Sequence, residues 1–425
     1  VAVAAALPFS GCNCNDPYDP GWELHDDWQF EADAAVDIEP DVEDVWDASP
    51  DTEDAVDAPD VEDVADAPDA EPVDPWQPEE VESVSRDQAL TDRTSIAVDS
   101  DGTLWLGYHE CADFNCNEPY LKVVNKPIGG DWSGERIRQH SGIFGMSVIE
   151  PGQPITVFPD SYDRTYKAAM RQPNGDWDLH TFPVSRSSQL QGDGFDVTND
   201  GTSHFVSFAP NGADVVEFYA YDTGASNPSW QRKTPLSVPN PQAAMERGLR
   251  ADDGGSVYLV NHSRESGVYG VYRYDEDLDA WPQSVELDQY TSTFISSLYI
   301  TSEFRLCMSG EYEGSLLVTC GSMFDLTADA KYFSRERLAE WHPSSIIEGD
   351  NGTLYVAYNP VGNDELRIAR RAPDSGTWTI ETIFNGPSYG VSTAIAKSGD
   401  LVISFYTCDN NNRCSLQVLW ETPQS

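Results

Sequence analysis

From Trp76 onward the chain alternates apolar and polar residues in runs of five to eight, broken by Gly, Asn, Asp and Pro. Period-two alternation of this length predicts half-buried β-strands. The clearest unit begins at Ser345 and turns at Asp350-Asn351-Gly352-Thr353. Apolar runs then follow at residues 354–358, 366–369 and, after Trp378, 379–383. These are four strands, A to D, and the Asn-Gly between A and B supplies the positive φ of a tight hairpin. The A–B pattern recurs seven times, opening at Ser95, Met146, Phe195, Leu249, Ser297, Ser345 and Thr393, and only the copy at Ser297 lacks Gly in its turn. A four-strand unit repeated about every fifty residues predicts a radial array, the β-propeller.

A second landmark runs through the same units. A Trp stands at the start of strand D at Trp132, Trp177, Trp230, Trp281 and Trp378, with Tyr332 or Phe333 in its place in the fifth copy. The seventh copy ends after its third strand, yet Trp76 opens WQPEEVESV, which has the same pattern as WTIETI at Trp378. The N-terminal strand is therefore expected to supply the missing D strand and close the ring, which leaves no unpaired blade edge at the junction. The expected fold is all-β, a seven-bladed propeller over residues 75–425.

The segment before the propeller differs in kind. Of a formal net charge of −48, the first 85 residues contribute 27 acidic side chains and no Lys or Arg, which leaves −21 on the remaining 340. Residues 12–74 are mostly Asp, Glu, Ala, Val and Pro in a loose D-x-x-D-A-P repeat. Such a segment buries too little apolar surface to order itself and reads as a disordered acidic linker. As a flexible coil its roughly 60 residues would span on the order of 45 Å. Nucleic acid is excluded as an expected partner, because phosphate binding needs clustered Lys and Arg.

Residues 1–9 are apolar, and the chain then reads Ser10-Gly11-Cys12. A run this short cannot span a bilayer and reads as the end of a signal peptide, residues 1–11. FSGC resembles a bacterial lipobox, which implies lipidation of Cys12 and membrane attachment through that anchor only. The expected location is the bacterial cell envelope, periplasmic or surface-exposed. In an oxidising compartment the other cysteines favour local disulfides: Cys111 with Cys116, Cys307 with Cys320, and Cys408 with Cys414. Cys14 is left over.

The A–B signature IIEGDNGTLYVAY, followed by LRIARRAPDSGTWTIETI, resembles the sialidase-like, Asp-box-related repeat propellers of bacterial surface lipoproteins, over residues 76–421. An Asp box proper reads S-x-D-x-G-x-T-W, and Asp374 to Trp378 is one residue short of it. The resemblance implies the fold. Sialidase activity would also require an arginine cluster, a Tyr–Glu nucleophile pair and an acid Asp, and does not follow from fold alone.

No H-E-x-x-H, G-x-S-x-G or P-loop run occurs, so no catalytic residues are assigned. In a propeller the B–C and D–A loops share one face. The D–A loops bring Arg93, His140, Arg186, Arg247, Tyr290, Trp341 and Tyr389, and the two Cys-bounded B–C loops bring Asp113, Asn115, Asp409 and Asn411. Aromatic rings beside polar groups suit a sugar. Closure makes blades 1 and 7 neighbours, so these two loops are expected side by side as a contact surface. No cofactor is expected. The acidity of the loops admits Ca²⁺, although neither has a D-x-D-x-D-G pattern. The expected function is an envelope-anchored binding or adhesion propeller for an extracellular glycan or protein. The alternatives are a sialidase-like glycoside hydrolase or polysaccharide lyase, and a scaffold subunit of a surface complex.

Overall fold

The computed structural model describes residues 76–84, 94–111, 119–139, 145–149, 152–160, 163, 165–185, 193–197, 203–208, 215–222, 229–238, 241–242, 248–252, 256–263, 268–287, 294–303, 305–312, 315–322, 334–340, 344–360, 364–373, 375, 377–409 and 414–421. First comes β1 (Trp76–Val84). Blade 1 follows with β2 (Thr94–Val98), β3 (Leu104–Cys111), β4 (Pro119–Lys126) and β5 (Ser133–Gln139). Blade 2 holds β6 (Gly145–Ile149), β7 (Gln153–Asp160), β8 (Thr165–Arg171) and β9 (Trp177–Ser185). Blade 3 holds β10 (Asp193–Val197), β11 (Ser203–Phe208), β12 (Val215–Asp222), β13 (Trp230–Arg232) and β14 (Leu236–Ser237). Blade 4 holds β15 (Pro241–Gln242), β16 (Leu249–Ala251), β17 (Val257–Ser263), β18 (Val268–Asp275) and β19 (Ala280–Leu287). Blade 5 holds β20 (Phe294–Ile300), β21 (Arg305–Tyr312), β22 (Ser315–Ser322) and β23 (Ser334–Glu340). Blade 6 holds β24 (Ser344–Glu348), β25 (Leu354–Tyr358), β26 (Glu365–Arg371) and β27 (Thr379–Asn385). Blade 7 holds β28 (Ser388–Ile395), β29 (Leu401–Cys408) and β30 (Cys414–Glu421), and is completed by β1.

The seven sheets form a seven-bladed propeller. The inner strands β2, β6, β10, β16, β20, β24 and β28 touch in that order, and β28 touches β2. Closure follows the sequence expectation: β1 pairs antiparallel with β30, from Trp76 opposite Glu421 to Val84 opposite Cys414, with one bulge between Glu80 and Glu82.

Two sequence signals have clear physical roles. Each strand-D tryptophan packs into a seam between its own blade and a neighbour. Trp132 joins the seam of blades 7 and 1, Trp177 that of 1 and 2, and Trp230 that of 2 and 3. Trp281 joins 3 and 4, Trp378 joins 5 and 6, and Trp76 joins 6 and 7. In blade 1 the A–B turn is held by its first residue. Asp99 accepts from the Thr103 N–H at 3.0 Å and, through its other oxygen, from Trp105 Nε1 at 3.0 Å, while Gly102 takes φ +87°. In the fifth blade Thr301 Oγ1 accepts from the Arg305 N–H at 3.1 Å. That side-chain cap keeps a turn closed where the sequence has lost its glycine.

Inner-strand hydroxyls stitch the ring where backbone groups have no sheet partner. Ser95 Oγ accepts from the Met146 N–H at 2.9 Å, and Ser297 Oγ from the Ile346 N–H at 3.3 Å. Ser345 and Thr393 hydroxyls meet at 2.8 Å. One departure from four plain strands occurs at the join of blades 3 and 4. There strand D splits into β13 and β14 and strand A into β15 and β16, with both halves still paired to β12 and β17 respectively. Pro235, Pro239 and Pro241 fall in this stretch, and a residue without an N–H interrupts a ladder.

Disulfides join Cys307 to Cys320, directly opposite on β21 and β22, and Cys408 to Cys414, which face each other at the end of β29 and β30. The expected Cys111–Cys116 bond, the lipid site Cys12 and Cys14 lie outside the described residues.

Candidate functional site

Nine of the residues expected to contact a ligand (Arg93, His140, Arg186, Arg247, Tyr290, Trp341, Asp113, Asn115 and Asn411) lie outside the described residues. The other two separate. Tyr389 was expected in a D–A loop, but β28 begins at Ser388 and pairs Tyr389 with Tyr406. Its half-buried ring packs on the core between blades 7 and 1. The inner strand extends further than its hydrophobic pattern indicated because it is irregular between Tyr389 and Ser392, which resets the alternation. Asp409 is exposed and follows β29 on the expected face, where it lines a groove.

That groove, about 640 Å³, lies where blades 6 and 7 meet. The closing strand contributes Glu80 and Ser83, and blade 6 contributes Asp364, Phe384 and Asn385. Blade 7 contributes Thr407, Asp409 and the Cys408–Cys414 bridge. Ser83 Oγ donates to Glu80 at 3.0 Å. The Phe384 ring stands edge-on to Phe405 with centroids 5.0 Å apart, which fixes its plane. Gly386 makes room for it: a Cβ there would meet the Phe384 ring at 2.8 Å and Thr407 Oγ1 at 3.6 Å. The Gly386 N–H donates to the Asp364 carbonyl at 2.7 Å, tying the D–A turn to the B–C turn of the same blade. Three carboxylates line the groove, and among its described lining residues there is no Lys or Arg; Arg413, in the loop bounded by Cys408 and Cys414, lies outside the described residues.

Among the described residues, Arg138 and Lys167 on the same face are held within the fold. Arg138, at the end of β5, pairs with Asp160 at 2.9 Å and Asp163 at 3.3 Å, and Lys167 pairs with Asp160 at 2.7 Å. Asp160 is fully buried. Burial would raise its carboxyl, but hydrogen bonds from Lys167, the Asp163 N–H and Arg138 outweigh it, so the group is held below its ordinary range. Glu110 behaves likewise: burial is outweighed by Arg136 and Lys122. Lys122 also binds Glu82 of the closing strand, and Glu82 accepts from the Tyr108 hydroxyl. Nearby, Glu79 accepts from Trp132 Nε1 at 2.9 Å and pairs with Lys126. These pairs fasten β1 to blade 1.

The groove residues Glu80, Phe384 and Thr407 were not singled out in the sequence. Glu80 had a signal, since the closure argument already placed its strand in blade 7. Among the described residues no three metal-ligating side chains converge.

No protein-family model matches the chain, and no curated protein matches it. Solved structures do. The hydrazine synthase of Kuenenia stuttgartiensis is similar at TM-score 0.51 and 12% identity, over 77% of this chain and 95% of that one. The polysaccharide lyase Uly1 has TM-score 0.49 and 9% identity, over 79% of this chain and 90% of that one. The endosialidase of phage phi92 has TM-score 0.45 and 10% identity, over 82% of this chain and 69% of that one. At such identities the likeness is one of fold, and chemistry is argued from the site.

Proposed function

We propose that this propeller is a binding module that takes a neutral or amine-bearing glycan in the groove between blades 6 and 7. The observation that carries the reading is the lining itself. Carboxylates at Glu80, Asp364 and Asp409, a hydroxyl at Thr407 and a fixed aromatic ring at Phe384 surround one cavity, and none of its described lining residues is a Lys or Arg. Carboxylate and hydroxyl groups take the hydrogen bonds of sugar hydroxyls, while the ring covers an apolar sugar face. A ligand carrying its own carboxylate, such as a sialic acid, would meet like charge. The bridge at Cys408–Cys414 limits the motion of one wall, so less entropy is lost on binding. The resemblance of FSGC to a lipobox supports a location at the cell envelope with attachment through Cys12.

Glycan-array binding by the full chain, repeated with Asp409→Asn and Phe384→Ala, tests this. Neutral or amino-sugar hits weakened at least ten-fold by either change support the reading. Hits confined to sialylated glycans, or hits indifferent to both changes, reject it. Release of reducing ends from a bound glycan would turn the assignment to a hydrolase or lyase.

A further inference from the structure

A second groove, about 420 Å³, opens on the opposite face, between the A–B turns of blades 5 and 6 and the C–D turn of blade 6. We propose that it is a separate site for an anionic saccharide, one bearing a carboxylate or a sulfate. The proposal does not depend on the reading of the blade 6–7 groove.

The lining differs in kind from that of the first groove. Arg305 opens β21 and Arg371 closes β26, so two guanidinium groups from neighbouring blades line one cavity. This is notable in a chain with 25 basic and 73 acidic residues. The Arg371 guanidinium lies over the Trp378 ring, 5.0 Å from its centroid, which fixes its plane. Arg305 forms no ion pair among the described residues, whereas Arg136, Arg138, Arg171, Arg232, Arg367 and Arg370 all do.

The walls are built in advance. Ser302 donates to Glu348 from its backbone N–H at 2.6 Å and from its hydroxyl at 3.1 Å, stapling the blade 5 turn to blade 6. Glu348 is thereby engaged on both oxygens. Asp350 turns toward the next blade, its Oδ2 lying 3.4 Å from where a Cβ on Gly399 would sit. Two of the three lining carboxylates are thus directed at neighbouring turns, Glu303 being the third, and Arg305 and Arg371 line the cavity with Asn351 and Ser375 beside them, Arg371 also reaching Cys320 Sγ at 4.0 Å. Guanidinium binds carboxylate or sulfate through paired N–H donors, while amide and hydroxyl groups suit sugar hydroxyls.

The test is calorimetric titration of the full chain with tetragalacturonate, a sulfated tetrasaccharide, a neutral tetrasaccharide and an Asp/Glu hexapeptide. The expected result is binding of at least one anionic sugar, with the neutral sugar at least ten-fold weaker at this groove. Arg305→Gln should weaken the anionic sugar at least ten-fold and Arg305→Lys less, while Asp409→Asn leaves it unchanged. Arg305 is a turn-edge residue without an ion pair, so its variants are expected to keep the parent melting curve. The proposal is overturned if neither anionic sugar binds, if Arg305→Gln binds as the parent does, or if the hexapeptide binds as tightly as the sugars. Loss of the blade 6–7 site would instead appear in the Asp409 and Phe384 variants on the array.

Discussion

Replacing Trp76 by alanine should loosen the ring at its closure while leaving the other six blades intact. The indole is 4% exposed and packs among Leu366, Ile368, Ile383, Leu401, Ile403 and Leu419. Its Nε1 donates to Glu381 at 3.0 Å, and the Arg370 guanidinium stands 5.5 Å from its ring. Truncating a buried aromatic to alanine costs about 3–5 kcal/mol. The hydrogen bond and the cation–π contact, about 1 kcal/mol each, are lost in the same change and overlap that figure. A total of about 4 kcal/mol is a large part of a typical folding free energy. At roughly 2 °C per kcal/mol for a large domain, the melting temperature should fall by about 8 °C. Circular-dichroism melts of the parent, Trp76→Ala and Trp76→Phe measure it, with Phe expected to recover part of the loss. Deleting residues 15–69 is the control and should leave the melt unchanged, because so acidic a composition is expected to bury little apolar surface. A Trp76→Ala protein melting within 1 °C of the parent would refute the claim that β1 closes the ring energetically.

Other outcomes are equally specific. The Asp160 and Glu110 carboxyls are held below their ordinary values of 3.8 and 4.5 in the fold, so their contribution is present above that range and lost as pH falls through the folded values. The parent melting temperature should therefore drop on acidification below about pH 4.5, and Asp160→Asn should be less stable at pH 7 but show a shallower drop. Replacing Cys307 and Cys320 together by alanine should cost about 3 kcal/mol and the Cys408–Cys414 pair about 2 kcal/mol, because the loops they close differ in length, as denaturant titration would show. Gly386→Ala should displace Phe384 and weaken glycan binding on the array by ten-fold or more, and should also lower stability by about 1 kcal/mol because Gly386 has φ +154°. Cys12→Ser should move the protein from the membrane fraction to the soluble fraction on fractionation, and a wild-type N-terminus without lipid mass would refute the lipobox reading.

The propeller was legible because its information is periodic. One hairpin signature every fifty residues and a Trp at strand D in every blade but the fifth overdetermine the blade count, and Trp76 without a preceding strand C points directly to closure. What each Trp does, packing across a seam, was not legible, since the seam is between blades and no local pattern records it. Tyr389 was misplaced because an irregularity in β28 breaks strict alternation. The burial of Asp160 was not legible either, since Lys167 and Arg138, from two other strands, are brought around it only by the fold. Glu80 and Phe384 stand 304 residues apart and meet in one groove only through closure. Contacts of that kind follow from topology, so they became predictable only after the seventh blade had been assigned its fourth strand.

The closing strand therefore has two roles that cannot be separated. Its Trp76 end fills the seam toward blade 6, Glu79 and Glu82 fasten it to blade 1, and Glu80 and Ser83 face the groove. The bulge between Glu80 and Glu82 is what makes this possible. Without it, strict alternation would send Glu80 and Glu82 to the same side and set Glu79 opposite to Glu82. With it, Glu79 and Glu82 both reach blade 1. Val81 is the extra residue of the bulge, so a change that adds one more residue there, such as inserting an alanine after Val81, would shift every later side chain to the other face. It should then lower stability through the lost Glu82–Lys122 pair and remove Ser83 from the groove together. A change at Lys122 should affect the first and spare the second. Comparing the melts and the glycan binding of these two variants separates closure from recognition, and equal loss of binding in both would mean that the groove depends on closure alone and not on the side chains β1 presents to it.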